Sequence, residues 1–177
     1  MKNKILVVID MQNDFIYGAL GNDDCRGIVG KVVKRVEEAT AEGINVIFTK
    51  DTHGCDYLDT REGKNLPIEH CKCGTEGWEI IDELKEVANG ETVLQIEKNT
   101  FGSVNLGKYI ADLESQEVEV ELIGVCTDIC VIANAIVMQA MNPNIQIAVR
   151  QSCCAGSTLE NHNIALKAMR GLQIEII

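Results

Sequence analysis

Short apolar runs alternate with helically spaced segments along the chain, and this order predicts an α/β fold. The first run, 5–9, contains no polar residue, which is typical of a strand in a parallel sheet covered on both faces. Similar runs predict six strands, at 5–9, 44–49, 92–96, 119–124, 145–149 and 172–177. Helical spacing predicts helices at 28–41, 78–87, 104–113, 130–141 and 159–169. We therefore predict a three-layer, doubly wound, six-stranded and mainly parallel sheet with helices on both faces.

Composition adds limits on size, partners and location. The chain has 177 residues, of which 46% are apolar and only two are prolines, so we expect a single domain over 1–177. The formal net charge of −11 argues against nucleic acid or an anionic membrane as a partner. No apolar run approaches the ~20 residues of a membrane span. The five apolar residues before Asp10 are too few for a signal peptide, so we predict a cytoplasmic protein.

Side chains capable of chemistry follow three of the predicted strands. Asp10 follows strand 5–9, Lys98 follows strand 92–96, and Cys130 comes soon after strand 119–124. The carboxyl ends of parallel strands lie at one edge of the sheet, which is where α/β proteins bind their ligands. A turn or capping role for Asp10 and a surface position for Lys98 are the alternatives.

Cys130 is distinguished from the other seven cysteines by its position. Without a signal peptide we expect no disulfide framework, and most of the thiols are expected to be small apolar side chains. Thr127 and Asp128 are both good N-cap residues, so we expect Cys130 in the first turn of helix 130–141. Unpaired N–H groups and the helix dipole favour a thiolate at that position, and the pattern indicates a nucleophile.

A second group of polar residues suggests a metal site. Asp51 and His53 follow the second strand, and His70 lies in segment 54–77, which has no clear period and is predicted to be a long active-site loop. One carboxylate and two imidazoles suit a divalent metal such as zinc, iron or manganese. The alternative is a capping aspartate and two solvated histidines, but the chain has only three histidines in all.

Three segments resemble the isochorismatase-like cysteine hydrolases, and within them most closely the nicotinamidases. Residues 6–15, LVVIDMQNDF, resemble the family's first strand and its catalytic aspartate. Residues 97–98, EK, followed by Phe101, resemble its lysine segment, and residues 124–131, GVCTDICV, resemble its nucleophile turn. The matches run from residue 5 to about residue 158, which is nearly the whole chain.

The resemblance implies hydrolysis of a small carboxamide to an acid and ammonia, through a thioester on Cys130. In this scheme Asp10 is the base and Lys98 holds the charge pair together. The backbone N–H groups of Cys126 and Cys130 are the expected oxyanion donors. The family also implies a cis peptide bond between Val125 and Cys126.

The resemblance extends to the metal loop and the substrate pocket. Residues 51–53 and 67–77 resemble the nicotinamidase metal loop, which implies a divalent metal, zinc first and iron or manganese otherwise, on Asp51, His53 and His70. The expected substrate contacts are Phe15, Phe101 and Ile129. At 65–67, where nicotinamidases usually carry a tryptophan that stacks on the pyridine ring, the chain reads Asn-Leu-Pro. Assembly into a homo-oligomer is implied by the family alone.

Two alternatives to a nicotinamidase-like enzyme stay open. A carbamoyl or ureido compound is also a compatible substrate for Asp10, Lys98 and Cys130, whereas isochorismate-type ether cleavage works without a nucleophilic cysteine. The alternative to an enzyme is a non-catalytic protein that binds metal or thiols. It is suggested by the eight cysteines and the pair Cys71 and Cys73. Ammonia release from a panel of amides separates these classes.

Overall fold

A computed structural model describes residues 3–113 and 117–177, so Met1 and Lys2 of the predicted N-terminal segment lie outside it. This part of the chain forms a six-stranded sheet in the order β3-β2-β1-β4-β5-β6, with every neighbouring pair parallel. The strands are β1 (Asn3–Ile9), β2 (Asn45–Asp51), β3 (Leu94–Lys98), β4 (Val118–Val125), β5 (Gln146–Ala155) and β6 (Glu175–Ile176). The predicted parallel sheet is confirmed.

Helices connect the strands and cover both faces of the sheet. They are α1 (Asn13–Ile16), α2 (Asp23–Ala41), α3 (Arg61–Asn65), α4 (Asp82–Ala88), α5 (Val104–Ala111), α6 (Ile132–Met141) and α7 (Leu159–Gly171). One apolar core packs α2 and α4 on one face of the sheet, and a second core packs α5, α6 and α7 on the other. The strands supply alternate side chains to the two cores, which gives the predicted three layers.

Several element boundaries differ from the sequence-based prediction. Helix α2 begins at Asp23 rather than at residue 28, because the Asn22 side chain accepts a hydrogen bond from the Cys25 N–H at 2.8 Å and caps the helix. The strand predicted at 172–177 is reduced to β6, Glu175–Ile176. The segment after residue 149, predicted as a loop, continues as β5 to Ala155, although residues 151 and 152 are exposed.

The strand order creates a switch point in the centre of the sheet. Strand β1 lies between β2 and β4, and the chain winds outward from it in both directions. Two strands whose connections leave in opposite directions open a crevice beyond their carboxyl ends. Asp10 follows β1 directly and Cys126 follows β4 directly, so both residues lie at this crevice.

Two further properties concern the described residues as a whole. None of their helices has the length and apolar character needed to cross a membrane. All eight cysteines lie in the described part of the chain and are free thiols there.

The approach of β4 to β1 requires a glycine at position 124. Gly124 has φ +112° and is paired with Ile9, and a Cβ at this position would overlap the carbonyl oxygen of Ile9. Other residues rarely adopt this backbone conformation. The switch point therefore depends on a residue without a side chain.

We expect Gly124→Ala to lower the free energy of unfolding by more than about 3 kcal/mol, because backbone strain alone costs about 1–3 kcal/mol and the overlap adds to it. Gly30→Ala is the matched control. Gly30 lies in α2 with nothing near the position of an added Cβ, so this variant should be stabilised by about 0.5–1 kcal/mol. Urea denaturation measures both, and equal stability of the two variants would contradict the assignment.

Candidate active site and metal centre

The structure brings together the three residues that the sequence places at strand ends. Lys98 Nζ lies 2.7 Å from Asp10 Oδ2 and 3.5 Å from Cys130 Sγ. Lys98 is the last residue of β3, whereas the sequence-based prediction placed it one or two residues beyond the end of the strand. All three side chains are buried, so this is a desolvated cluster of an ammonium, a carboxylate and a thiol.

Asp10 is held at a defined angle by its neighbour on β2. Its backbone has φ +48°, in the left-handed region. The Asp10 N–H donates to Thr49 Oγ1 at 3.2 Å, and the Thr49 hydroxyl donates to Asp10 Oδ1 at 2.6 Å. One carboxylate oxygen is thus engaged by Thr49 and the other by Lys98.

Asp51 connects this cluster with the predicted metal ligands. Its Oδ1 accepts a hydrogen bond from Lys98 Nζ at 3.1 Å. Its Oδ2 lies 2.8 Å from His53 Nε2 and 3.5 Å from His70 Nε2. One carboxylate therefore contacts both halves of the site.

Burial dominates the electrostatics of the cluster. It raises the pKa of Asp10, although Lys98 and the Thr49 hydroxyl oppose the shift. Burial disfavours the charged form of Lys98, but the carboxylates of Asp10 and Asp51 outweigh it and hold the Lys98 pKa well above its usual value. Lys98 therefore carries a positive charge at neutral pH.

Burial works against the thiolate that the position of Cys130 in the sequence favours. Burial raises the pKa of its thiol well above the ordinary value, and the carboxylates of Asp10 and Asp51 add to the effect while Lys98 opposes it. A thiol of this kind needs a base beside it before it can act as a nucleophile.

The turn that carries Cys130 also differs from the prediction. Residues Thr127–Val131 form a π-helical turn ahead of α6, in which the Val131 N–H donates to the Cys126 carbonyl at 3.0 Å. Neither predicted cap residue caps a helix. The hydroxyl of Thr127 lies 2.8 Å from His162 Nδ1, and the carboxylate of Asp128 accepts hydrogen bonds from Ser157.

Two other features belong to the same turn. The Val125–Cys126 peptide bond is cis, as predicted. Buried Asn134, in α6, donates to the Cys130 carbonyl at 2.8 Å and to the Phe101 carbonyl at 3.1 Å, while its Oδ1 accepts from the Ser103 N–H. The turn is thereby joined to the start of α5, and no periodicity in the sequence indicates this role of Asn134.

The predicted metal ligands meet, and a fourth joins them. Asp51, His53 and His70 cluster with Glu62, and the potential ligand atoms of the four residues all lie within 4.8 Å of one another. Glu62 was missed because it lies in the aperiodic segment 54–77. The signal that could have identified it is local: Thr60 caps the short helix α3, and its side chain accepts from the Gly63 N–H.

The four residues fit a divalent cation. His70 Nδ1 donates to the Ile68 carbonyl at 2.8 Å, so in the neutral ring Nε2 has the free lone pair of a metal ligand and faces the cluster. His53 Nε2 is buried and has no hydrogen-bond partner, although it lies 2.8 Å from Asp51 Oδ2. Burial and Asp51 raise the pKa of Glu62.

Charge balance supports the same conclusion. Asp10 and Asp51 contact the ammonium of Lys98, and a third carboxylate, that of Glu62, lies beside Asp51. When all three are ionised, two negative charges in a largely buried space are left uncompensated. A divalent cation between the two histidines would neutralise them.

Packing holds the metal loop against the sheet. The buried Tyr57 ring lies 4.6 Å from the ring of His53 and 5.1 Å from that of His70, and its hydroxyl donates to the Leu66 carbonyl at 2.9 Å. The Asp14 carboxylate accepts from the Cys71 N–H at 2.7 Å, next to His70.

Gln12 is a second residue that the sequence did not single out. Its buried side-chain amide accepts from the Asp51 N–H at 2.7 Å and donates to the Asp51 carbonyl at 2.8 Å. The same nitrogen donates to the Trp78 carbonyl at 2.8 Å. Gln12 therefore holds the backbone of Asp51 in a fixed position relative to Trp78, the residue that follows the metal loop.

The three predicted substrate contacts differ in exposure. Phe15 is buried with its ring edge-on to His70, 5.6 Å between centroids, while Phe101 is 41% exposed and Ile129 is partly buried. A cavity of about 350 Å³ opens beside the metal ligands, and its lining includes His53, Glu62 and Phe101. Their contact with substrate stays a prediction.

A larger cavity, of about 420 Å³, lies at the opposite end of the sheet. Its lining includes Arg35, Glu121 and Arg150, and the Glu121 carboxylate is paired with both arginines. The Glu121 carboxylate and both arginines are therefore already engaged with one another. The smaller cavity adjoins the metal ligands His53 and Glu62, and it is the candidate substrate site.

Comparison with known proteins agrees with the geometry. The model of the isochorismatase domain matches residues 4–177. The chain is 28% identical over 205 residues to the nicotinamidase of Schizosaccharomyces pombe, a match that covers 97% of this chain and 91% of the yeast protein.

Solved structures with the same fold include two named amidases. The pyrazinamidase of Pyrococcus horikoshii in complex with zinc matches with a TM-score of 0.80 and 26% identity, over 99% of this chain and 98% of that one. The N-carbamoylsarcosine amidase of Thermoplasma acidophilum matches with a TM-score of 0.81 and 28% identity, over 99% and 95%. Since the domain model spans nearly every residue, the chain belongs to the isochorismatase family.

Proposed function

We propose that the protein is a cysteine-dependent amidohydrolase that cleaves a small carboxamide to an acid and ammonia through a thioester on Cys130. The observation that carries this proposal is the contact of one ammonium, Lys98 Nζ, with both Asp10 and Cys130. Membership of the isochorismatase family and the likeness to named amidases support an enzyme that acts on C–N bonds other than peptide bonds.

The first step is transfer of the Cys130 proton to Asp10. The raised pKa of Asp10 makes its carboxylate a stronger base than an exposed aspartate, and the pair exchanges one proton within the buried cluster. Lys98 stabilises the thiolate that results, because its charge lies 3.5 Å from the sulfur. The thiolate then attacks the amide carbon.

The tetrahedral intermediate carries a negative oxygen that needs donors. The backbone N–H groups of Cys126 and Cys130 serve as these donors in the proposed scheme. Support comes from the turn itself, because the Ile129 and Val131 N–H groups both bond the Cys126 carbonyl and keep the two cysteines in one compact loop.

Asp10 completes the cycle. Its acquired proton goes to the leaving nitrogen, so that ammonia departs and the acyl group stays on Cys130. The ionised carboxylate then takes a proton from a water molecule, which attacks the thioester. The C–S bond breaks, the acid is released, and the proton on Asp10 returns to the Cys130 thiolate.

Asp51, His53, Glu62 and His70 would hold the metal, and zinc is the first choice, with iron and manganese as alternatives. The bound ion would supply a Lewis-acid anchor for a donor atom of the substrate. The pyrazinamidase of Pyrococcus horikoshii, which has the same fold, was solved in complex with zinc, and this supports the choice of zinc.

A carbamoyl or ureido compound is the second candidate substrate class. The lining of the candidate cavity includes the polar residues Thr52, Asn99 and Thr100 beside Tyr57 and Phe101, and residues 65–67 contain no aromatic side chain that could stack on a pyridine ring. The likeness to an N-carbamoylsarcosine amidase favours the same class. Ammonia release from nicotinamide, pyrazinamide and carbamoyl and ureido compounds decides between the classes.

We expect Cys130→Ala to lower kcat for the best amide of this panel by about 10³-fold or more, since no other group replaces the nucleophile. Cys55→Ala is the control, because Cys55 is an exposed thiol away from Lys98, and it should keep full activity. Ammonia release measures both variants. Turnover by Cys130→Ala at the native rate would remove Cys130 from the mechanism.

We expect the native protein to bind about one divalent ion per chain, and the double variant His53→Ala/His70→Ala to bind none, because half of the ligands are gone. The KM for the amide should rise as well. Elemental analysis after purification without added metal checks the content. His162→Ala, which removes the histidine outside the cluster, should keep the ion, and a native protein free of metal under these conditions would contradict the site.

Glu62→Gln tests the ligand that the sequence did not reveal. Removal of one anionic ligand should weaken metal binding by about tenfold or more. Glu69→Gln is the matched control, because Glu69 is exposed and paired with Lys72 on the same loop. Competition with a fluorescent chelator gives both affinities, and equal affinities would exclude Glu62 from the site.

A further inference from the structure

Each oxygen of the Asp10 carboxylate is contacted by one side chain, and the proposed proton transfer depends on the orientation that these two contacts give it. Its Oδ2 lies 2.7 Å from Lys98 Nζ, and its Oδ1 lies 2.6 Å from Thr49 Oγ1. Lys98 is shared with Cys130 and Asp51, so its position depends on two other groups. Thr49 is the neighbour that contacts Asp10 from the opposite side.

The hydrogen bonds of Thr49 have a defined direction. A hydroxyl has one hydrogen, and Thr49 Oγ1 already accepts the Asp10 N–H, so its own hydrogen is donated to Asp10 Oδ1. The hydroxyl therefore closes a ring that joins the backbone of Asp10 to its own carboxylate. This ring fixes the side-chain rotation of Asp10.

The same ring determines which oxygen carries a proton. Oδ1 accepts a hydrogen bond from Thr49, so a proton taken up by Asp10 is placed on Oδ2. Oδ2 is the oxygen that shares Lys98 with the Cys130 sulfur, which is where the proton originates in the proposed reaction. Proton pickup and delivery thus occur on the side of the carboxylate that faces the nucleophile.

Thr49 is itself held rigidly. It is fully buried in β2, between β1 and β3, and it is paired with Ile96 in the sheet. A β-branched side chain has few rotamers in such a strand, so the hydroxyl has little freedom to turn away.

We propose that Thr49 is a positioning residue, which orients Asp10 so that Oδ2 is the atom that exchanges a proton with Cys130. This inference rests on the proposed cysteine amidase. The alternative is a structural role, in which Thr49 only satisfies the Asp10 N–H and stabilises the fold.

Two variants at one position separate these roles. Thr49→Val keeps the shape and removes the hydroxyl, whereas Thr49→Ser keeps the hydroxyl and removes a methyl group. Thr40→Val, in which the lost hydroxyl bonds only the Val36 carbonyl in α2, is the matched control for hydroxyl loss. Thermal unfolding and metal content are measured for every variant.

We expect Thr49→Val to lower kcat by about 10- to 100-fold with KM unchanged within about twofold, because only part of the general-base contribution is lost. Thr49→Ser should keep kcat within about threefold of the native value, and Thr40→Val should keep it unchanged. A Thr49→Val enzyme with native kcat, or a Thr49→Ser enzyme as slow as Thr49→Val, would overturn the proposal.

A second readout needs no substrate. Alkylation of Cys130 by iodoacetamide, followed by peptide mass spectrometry, should slow by about fivefold or more in Thr49→Val and stay within about twofold in Thr49→Ser, because Cys130 loses an oriented base only in the former. If the native protein releases no ammonia from any amide, the proposed function fails while the alkylation rates still decide the role of Thr49. Equal rates in native protein and Thr49→Val would contradict that role.

Discussion

The ammonium of Lys98 is the interaction on which the site depends. A buried cation persists only when charges and hydrogen bonds around it replace the lost water, and Lys98 has the carboxylates of Asp10 and Asp51 for this purpose. Its contact with Cys130 then places a nucleophile beside a base and a fixed positive charge. These groups lie directly after β1, in β2, in β3 and in the turn after β4. The Lys98 side chain therefore connects four segments at one edge of the sheet.

The bridging position of Asp51 makes the metal cluster and the thiol cluster parts of a single charge system. Its two oxygens face Lys98 and the histidines respectively, and Gln12 holds its backbone from both sides. A change of charge at the metal ligands therefore alters the field at Lys98 and at the groups it contacts. Rigid supports such as Tyr57, which packs on both histidine rings, keep this arrangement in place.

The sequence was sufficient to predict the sheet and the residues at its strand ends, because continuous apolar runs mark buried parallel strands and Asp10 and Lys98 lie beside them. The sequence did not predict the features that depend on contacts between residues far apart in the chain. The side chains of Thr127 and Asp128 bond residues of the β5–α7 region instead of capping a helix. Glu62 approaches the histidines only through the fold of an aperiodic loop, and the burial that raises the pKa of Cys130 has no local signature. The homo-oligomer and the cytoplasmic location stay predictions.

The central claim is that Cys130 becomes acylated during turnover, and the acyl-enzyme is its direct signature. Rapid acid quenching of the native protein with the best amide of the panel, followed by intact-protein and peptide mass spectrometry, measures this species. We expect a chain heavier by the acyl group of that amide, with the addition located on Cys130 and absent when the acid product replaces the amide at low concentration. Full turnover with no acyl adduct at any quench time, and with hydroxylamine unable to divert product to a hydroxamate, would contradict it.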